Sequence, residues 1–180
     1  MKQNTRKTVQ FFLKHAKKHK VLLGFIVLFL TLGTVAYMGW YLLLRNFFAI
    51  LISGQGKEII VSSLLNLLLF IIILELGEWA CWRVFQHCML YFQAKCMTAI
   101  SNECFDYLHG HSYRFFSNNF SGALVKKVTR FVNAFERIFD RIFWDMGTLV
   151  LRIIIISAVL FYLHPLLGTI MIVWTVIFLI

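Results

Sequence analysis

Apolar residues run through this chain in stretches too long for a soluble helix, and no strand-like alternation interrupts them. Residues 21–44 are an uncharged run of 24, and residues 59–74 an uncharged run of 16 that continues past Glu75. Residues 141–163 are apolar around Asp145 and Arg152, and residues 165–180 form a fourth run. A hydrocarbon core of ~30 Å takes about 20 residues to cross. The pattern therefore predicts spans at about 21–44, 59–82 and 141–163, and an incomplete one at 165–180.

Two of the predicted helices do not stop at the membrane. Neither 58–109 nor 121–163 contains proline, and Gly77 and Gly147 are the interior glycines. At ~1.5 Å per residue they reach roughly 78 Å and 64 Å, so each projects ~30–45 Å into water. Beyond Glu78 the pattern becomes amphipathic. Phe85, Cys88, Phe92, Cys96 and Ile100 make an apolar stripe, with Arg83, Gln86, Gln93, Lys95, Asn102, Glu103 and Asp106 over the rest. On the ascending helix Leu124, Val128, Phe131, Phe135, Ile138 and Ile142 alternate steps of four and three, a heptad seam widened by Val125, Val132 and Phe139. Asp140 falls among the polar residues opposite it. Residues 83–140 thus read as extensions that pack antiparallel.

Turn signals join the pieces. Residues 53–56 (Ser-Gly-Gln-Gly) mark a turn between the first two spans. Gly110 ends the descending helix, Ser112 caps a short new one, and residues 117–122 restart the ascending helix. The tip between them carries Tyr113, Phe115 and Phe116, rings that are costly to expose without a partner. Residues 8–20 predict an interfacial helix, with Val9, Phe12, Leu13 and Ala16 on its apolar face and lysines around it.

Composition agrees: 60% of the residues are hydrophobic and 14% charged, against about 25% charged in soluble domains. The net charge of +10 is concentrated in residues 1–20, where seven lysines and arginines meet no acid. That is the positive-inside signature of a cytoplasmic N-terminus, not a nucleic-acid surface. The 53–58 loop then lies outside, 83–141 inside and His164–Pro165 outside. The first run exceeds the ~7–15 residues of a signal peptide and has no small-residue cleavage site after it. Cys81, Cys88, Cys96 and Cys104 form no CxxC pair and read as reduced thiols.

Ionisable residues inside the spans are the other chemical signal. Glu75 and Glu78 lie ~24 and ~29 Å in from Ile59, and Arg152 and Asp145 ~16 and ~27 Å in from Leu163. Such groups face a bundle interior or a wet cavity. We expect Arg152 to reach Glu75, and Asp145 to reach Arg83 or nearby backbone, either pinning helix packing or lining a substrate path. His109 and His111 with Cys104 match no zinc signature, and no acid–base–nucleophile group is visible. No catalytic, cofactor-binding or metal residue is assigned.

At the tip, Phe115-Phe116-Ser117-Asn118-Asn119-Phe120-Ser121-Gly122-Ala123-Leu124 resembles the FFD-x-N-x-[TS]-G-x-L segment of ABC exporters of the type IV transporter fold. Residues 105–112 and the turn at 163–167 resemble the family's neighbouring segments, and the order of elements is similar throughout. Departures are Ser117 for the usual aspartate, and Lys127 and Phe131 where an arginine and an acidic residue are frequent. The resemblance implies an all-α membrane protein whose long helices extend into the cytoplasm, with a coupling helix between spans 2 and 3. Residues 1–20 would be a basic tail and elbow helix, and 21–180 the N-terminal part of a half-transporter's transmembrane domain. Ser112, Tyr113, Arg114, Phe115, Phe116, Ser117, Asn118 and Asn119 would dock a nucleotide-binding domain. ATP with Mg would be held by that domain, since this chain has no GxxxxGK[ST] sequence. A homo- or heterodimer of halves in the plasma (inner) membrane of a prokaryote would couple nucleotide-domain motion to export of an unidentified substrate. The alternatives are a membrane scaffold that docks a soluble partner, or a channel-like oligomer lined by Glu75, Glu78 and Arg152.

Overall fold

The computed structural model describes residues 2–52, 57–118 and 121–179. Every described element is helical: α1 (Lys2–Lys17), α2 (Lys20–Ile52), α3 (Lys57–His109), α4 (Tyr113–Asn118), α5 (Ser121–Asp140), a π-helical segment (Arg141–Gly147), α6 (Thr148–Leu163) and α7 (Pro165–Leu179). The turn expected at 53–56 lies outside the described residues. Among the described residues, three helical stretches are long and apolar enough to cross a membrane: Lys20–Ile52, Glu58–His109 and Gly122–Leu163. The chain is an all-α, multi-pass integral membrane protein. It divides into two compact units, Met1–Val27 with Phe85–Asp145 and Leu28–Val84 with Met146–Ile180.

The first unit is built on aromatic side chains. Phe85, Phe92, Cys96, Ile100 and Phe135 are wholly buried, and Phe12, Ala16, Met89, Val132 and Phe139 nearly so. Phe135 is the hub: its ring lies 5.4 Å from Phe12 of α1, 6.3 Å from Phe92 of α3 and 4.4 Å from Phe139. The α3 stripe therefore forms as the spacing predicts, except that Met89 takes the buried place expected of Cys88. On α5 the seam drifts. Ile138 and Ile142 turn outward, and the inner line runs through Phe135, Phe139 and Phe143 in steps of four. A straight helix advances 3.6 residues per turn, so a strict heptad line rotates off the contact unless the helix supercoils.

Where one uninterrupted helix was expected over 121–163, residues Arg141–Gly147 adopt the wider π turn. This segment carries Phe143 and Trp144, and the Trp144 ring meets Phe85 edge-on at 4.9 Å.

On α1 the packed stripe is shifted from the expected one. Phe12, His15 and Ala16 are buried with Phe11 beside them, whereas Val9 and Leu13 are 44% and 46% exposed. Phe12 is 4.9 Å from Phe131, and Phe11 lies 4.8 Å from the His15 ring. Aromatic surface on α3 and α5 thus outcompetes the lipid-facing reading of this stripe, and leaves Val9 and Leu13 on a second, outer face.

Two polar residues expected on the solvated side are instead ties between helices. Gln93 is 6% exposed and its amide donates to Asp140 Oδ1 at 2.7 Å. Glu103 lies 2.9 Å from His15 Nε2 and 3.4 Å from Lys14 Nζ.

In the second unit α2, the first part of α3, α6 and α7 leave most of their apolar surface uncovered; Ile73, Trp79, Tyr162 and Phe178 are more than 60% exposed. That is the surface expected where lipid or further helices supply the cover. The α6–α7 hairpin turns at His164, whose extended backbone breaks the helix while its N–H still donates to Leu160 O at 2.8 Å. Pro165 then opens α7 at a position where a missing N–H costs nothing. Gly168 lets the two helices close: a Cβ there would lie 2.6 Å from the Phe161 ring.

Candidate functional site

The distal tip lies in the first unit. Helix α3 ends at His109, and Gly110 N–H still donates to Asp106 O at 3.2 Å, so the helix runs out without a left-handed cap. Ser112 accepts the Phe115 N–H through its backbone carbonyl at 2.9 Å and so opens α4. The expected short helix is there, six residues long. Arg114 and Ser112 are exposed, and Phe115 and Phe116 are half-buried. The two rings meet at 86° and 5.5 Å, and Phe115 also lies 4.3 Å from His111, itself 4.8 Å from Tyr107. His111 Nδ1 is 2.8 Å from Tyr107 O, which holds that ring against the end of α3. The tip rings thus cover one another in part. Tyr113, Ser117 and Asn118 take their places on the α4 backbone, while Asn119 lies outside the described residues.

Above the tip, Phe11, Tyr107, Val128 and Phe131 line an open cavity of about 480 Å³ with Glu103 and Lys127 on its wall. Burial of His15 beside it lowers the imidazole pKa from 6.5, against the opposing pull of Glu103 and with the help of Lys18 and Lys14. Cys96, under α1, has its thiol pushed up to about 11 by burial. All four cysteines are free thiols.

The intramembrane ions sort differently from the sequence expectation. Glu75 is exposed, in a shallow apolar groove with Ile72, Leu76 and Trp79. Arg152 does not close an ion pair with it among the described residues. Its guanidinium carbon instead sits 4.8 Å from the centre of the Tyr37 ring, a cation–π contact. Glu78, one turn along from Glu75, accepts a hydrogen bond from the Trp82 indole and lies within the field of Glu75 and, more weakly, of Arg152. Trp82 is laid across Gly33 of α2, where its Nε1 would be 3.4 Å from a Cβ. Arg83 stacks over Trp79 at 5.5 Å. Asp145 is exposed and belongs with the first unit.

Sequence reasoning missed Tyr37 and Tyr41. Their hydroxyls are 3.5 Å apart, and Tyr41 is also within the field of Arg152. The available signal was their four-residue spacing, which puts two phenols on one face of an uncharged run. The α2 and α6 faces around them enclose a groove of about 310 Å³.

Long apolar helices, with a short aromatic helix between two of them, define a polytopic membrane protein. The family model described as ABC transporter transmembrane region matches residues 23–180, and the chain belongs to that family. No curated protein and no solved structure matches it.

Proposed function

We propose that this chain is the force-receiving part of an ATP-driven ABC exporter. The single observation carrying this reading is α4, a six-residue helix with Phe115 and Phe116 half-uncovered, set between two helical stretches of an ABC transmembrane region. In this reading α4 is the coupling helix, and residues 112–119 seat in a groove on a nucleotide-binding domain. The N-terminus and tip are cytoplasmic, since seven basic residues precede the first span. Two such halves form the working dimer.

The chain's own residues do not fit a nucleotide with Mg. The sequence carries no phosphate-cradling GxxxxGK[ST] loop. ATP and its metal belong to the docked domain. What this chain contributes is stiffness. The Phe135 cluster locks α1, α3 and α5 together, so displacement of the tip is passed on as rigid-body motion. The spans then alternate between two accessibilities of a path that includes Glu78 and Arg152.

A photocrosslinking residue in place of the exposed Arg114 tests the docking. It should capture an ATP-binding domain, and Phe115→Ala with Phe116→Ala should abolish transport while the protein still folds. Unchanged transport in that double variant, with no captured ATPase, would refute the proposal.

A further inference from the structure

We infer that the protein partner seated on α4 carries an acidic rim, and that the first turns of α1, through Arg6 and Lys7, belong to the same docking surface. The inference rests on the coupling reading above and adds the chemistry of the partner.

Read backwards from its C-terminal end, α1 runs towards the tip. His15 meets Glu103 and its carbonyl faces the Cys96 thiol, whereas Phe11 shares a cavity with Tyr107, Leu108 and Lys127. Helix α3 ends just past Leu108, at His109. Helix α1 starts at Lys2, so ~13 Å of it lies beyond Phe11. Arg6 and Lys7 stand on that projecting part, and both are exposed.

The tip end of this unit carries charge of one sign. Arg6, Lys7, Arg114, Lys126, Lys127 and Arg130 are all exposed. No acidic residue precedes Glu58 in the chain, and none lies between Asp106 and Glu136. Glu103 is engaged by His15 and Lys14, which leaves Asp106 against these six cations. Lys126, Lys127 and Arg130 are paired with no acid among the described residues. Like charges gathered within a Debye length of ~10 Å repel, and an acidic partner relieves that repulsion. The array flanks the half-buried Phe115 and Phe116 of α4. An apolar centre within a charged edge is the anatomy of a protein interface. A bilayer does not fit the same array, since Phe85, where this unit of α3 begins, stands ~36 Å of helix before His109.

The test places a photocrosslinking residue at position 114, in the protein with its ATP-binding domain in phosphatidylcholine nanodiscs, and reads the capture of that domain. Lys7→Glu, Lys126→Glu and Lys127→Glu together should lower capture about tenfold or more, the low end of what electrostatic steering supplies. The matching triple arginine variant, which keeps the charge, should capture like the parent. Raising KCl from about 50 to about 500 mM should lower capture by the parent to a similar extent and change the glutamate variant little. A zero-length carbodiimide should join Lys7, Lys126 and Lys127 to aspartates or glutamates of the captured domain. Lys20, past the other end of α1, should stay unjoined. Phosphatidylglycerol nanodiscs should leave capture unchanged; capture lost there would make the bilayer the occupant and overturn the inference. Capture that ignores charge reversal and salt, or an equal loss in the arginine variant, overturns it as well, as do carbodiimide bonds confined to this chain. Should the glutamate variant not fold, the salt series and the carbodiimide map decide alone. No capture by the parent removes the coupling reading and this inference with it, whereas capture indifferent to charge removes this inference alone.

Discussion

Replacing Phe135 by alanine removes the ring on which three helices of the first unit converge. The side chain is wholly buried and meets Phe12, Phe92 and Phe139. Truncating a buried phenylalanine costs about 3–5 kcal/mol, of which ring–ring geometry beyond area accounts for roughly 0.5–1.5 kcal/mol per pair. Cys96 reports the consequence, because it too is wholly buried and its thiol points at His15 O across 4.0 Å. While α1 stays docked, burial holds this thiol protonated at neutral pH. Once α1 lifts, its pKa returns towards ~8.5 and a maleimide dye can reach it. With the remaining cysteines replaced by serine, Phe135→Ala should speed Cys96 labelling by about two to three and a half powers of ten. Phe135→Leu, which keeps most of the volume, should have a much smaller effect. A folded Phe135→Ala protein that labels Cys96 no faster than the parent would mean that α1 is not held by this cluster, and that the cluster does not pass on displacement of the tip.

Three further outcomes follow from single contacts. Asp140→Ala should destabilise the first unit by ~1–3 kcal/mol, since the buried Gln93 amide loses its acceptor, and Gln93→Leu in the same chain should recover most of it in thermal unfolding. His15 has a folded-state pKa below 6.5, so the unfolded chain takes up its proton first as pH falls. Stability of α1 docking should therefore be constant above about 7, fall as pH drops below 6.5, and level off once the folded-state pKa is passed. A His15→Gln variant that keeps the same pH profile would assign that titration elsewhere. Gly168→Ala places a Cβ 2.6 Å from the Phe161 ring and should lower the melting temperature, with Phe161→Ala restoring part of the loss.

The helices were legible because long apolar runs without proline leave a chain few alternatives, and α3 ends at the predicted His109. The stripe through Phe85, Phe92, Cys96 and Ile100 was legible for the same reason: spacing decides which side chains share a face. Which neighbour a face meets is not encoded locally. His15 and Gln93 look like solvated polar residues until Glu103 and Asp140, far along the chain, are brought opposite them. The drift of the α5 seam and the π turn after it depend on how the bulky Phe139, Phe143 and Trp144 settle against α3, which a heptad count ignores. At the charged cluster, counting depth paired Arg152 with Glu75, whereas the contact Arg152 makes is with Tyr37. The deciding contact was an aromatic face, Tyr37, and an uncharged partner leaves no mark in a search for opposite charges.

The docking of α1 also imposes an order in time. Phe12 leaves the ribosome more than a hundred residues ahead of Phe135, against which it packs. At ~5–20 residues per second that is a wait of roughly 6–25 s. Through it the buried stripe of α1 has no protein partner, and the chain must shelter Phe11, Phe12 and Ala16 another way. The outward Val9 and Leu13, flanked by lysines, provide a lipid anchorage that can hold the helix at the bilayer surface until its seat is made. Val9→Ser with Leu13→Ser should therefore lower the yield of folded protein while leaving the melting temperature of what does fold nearly unchanged.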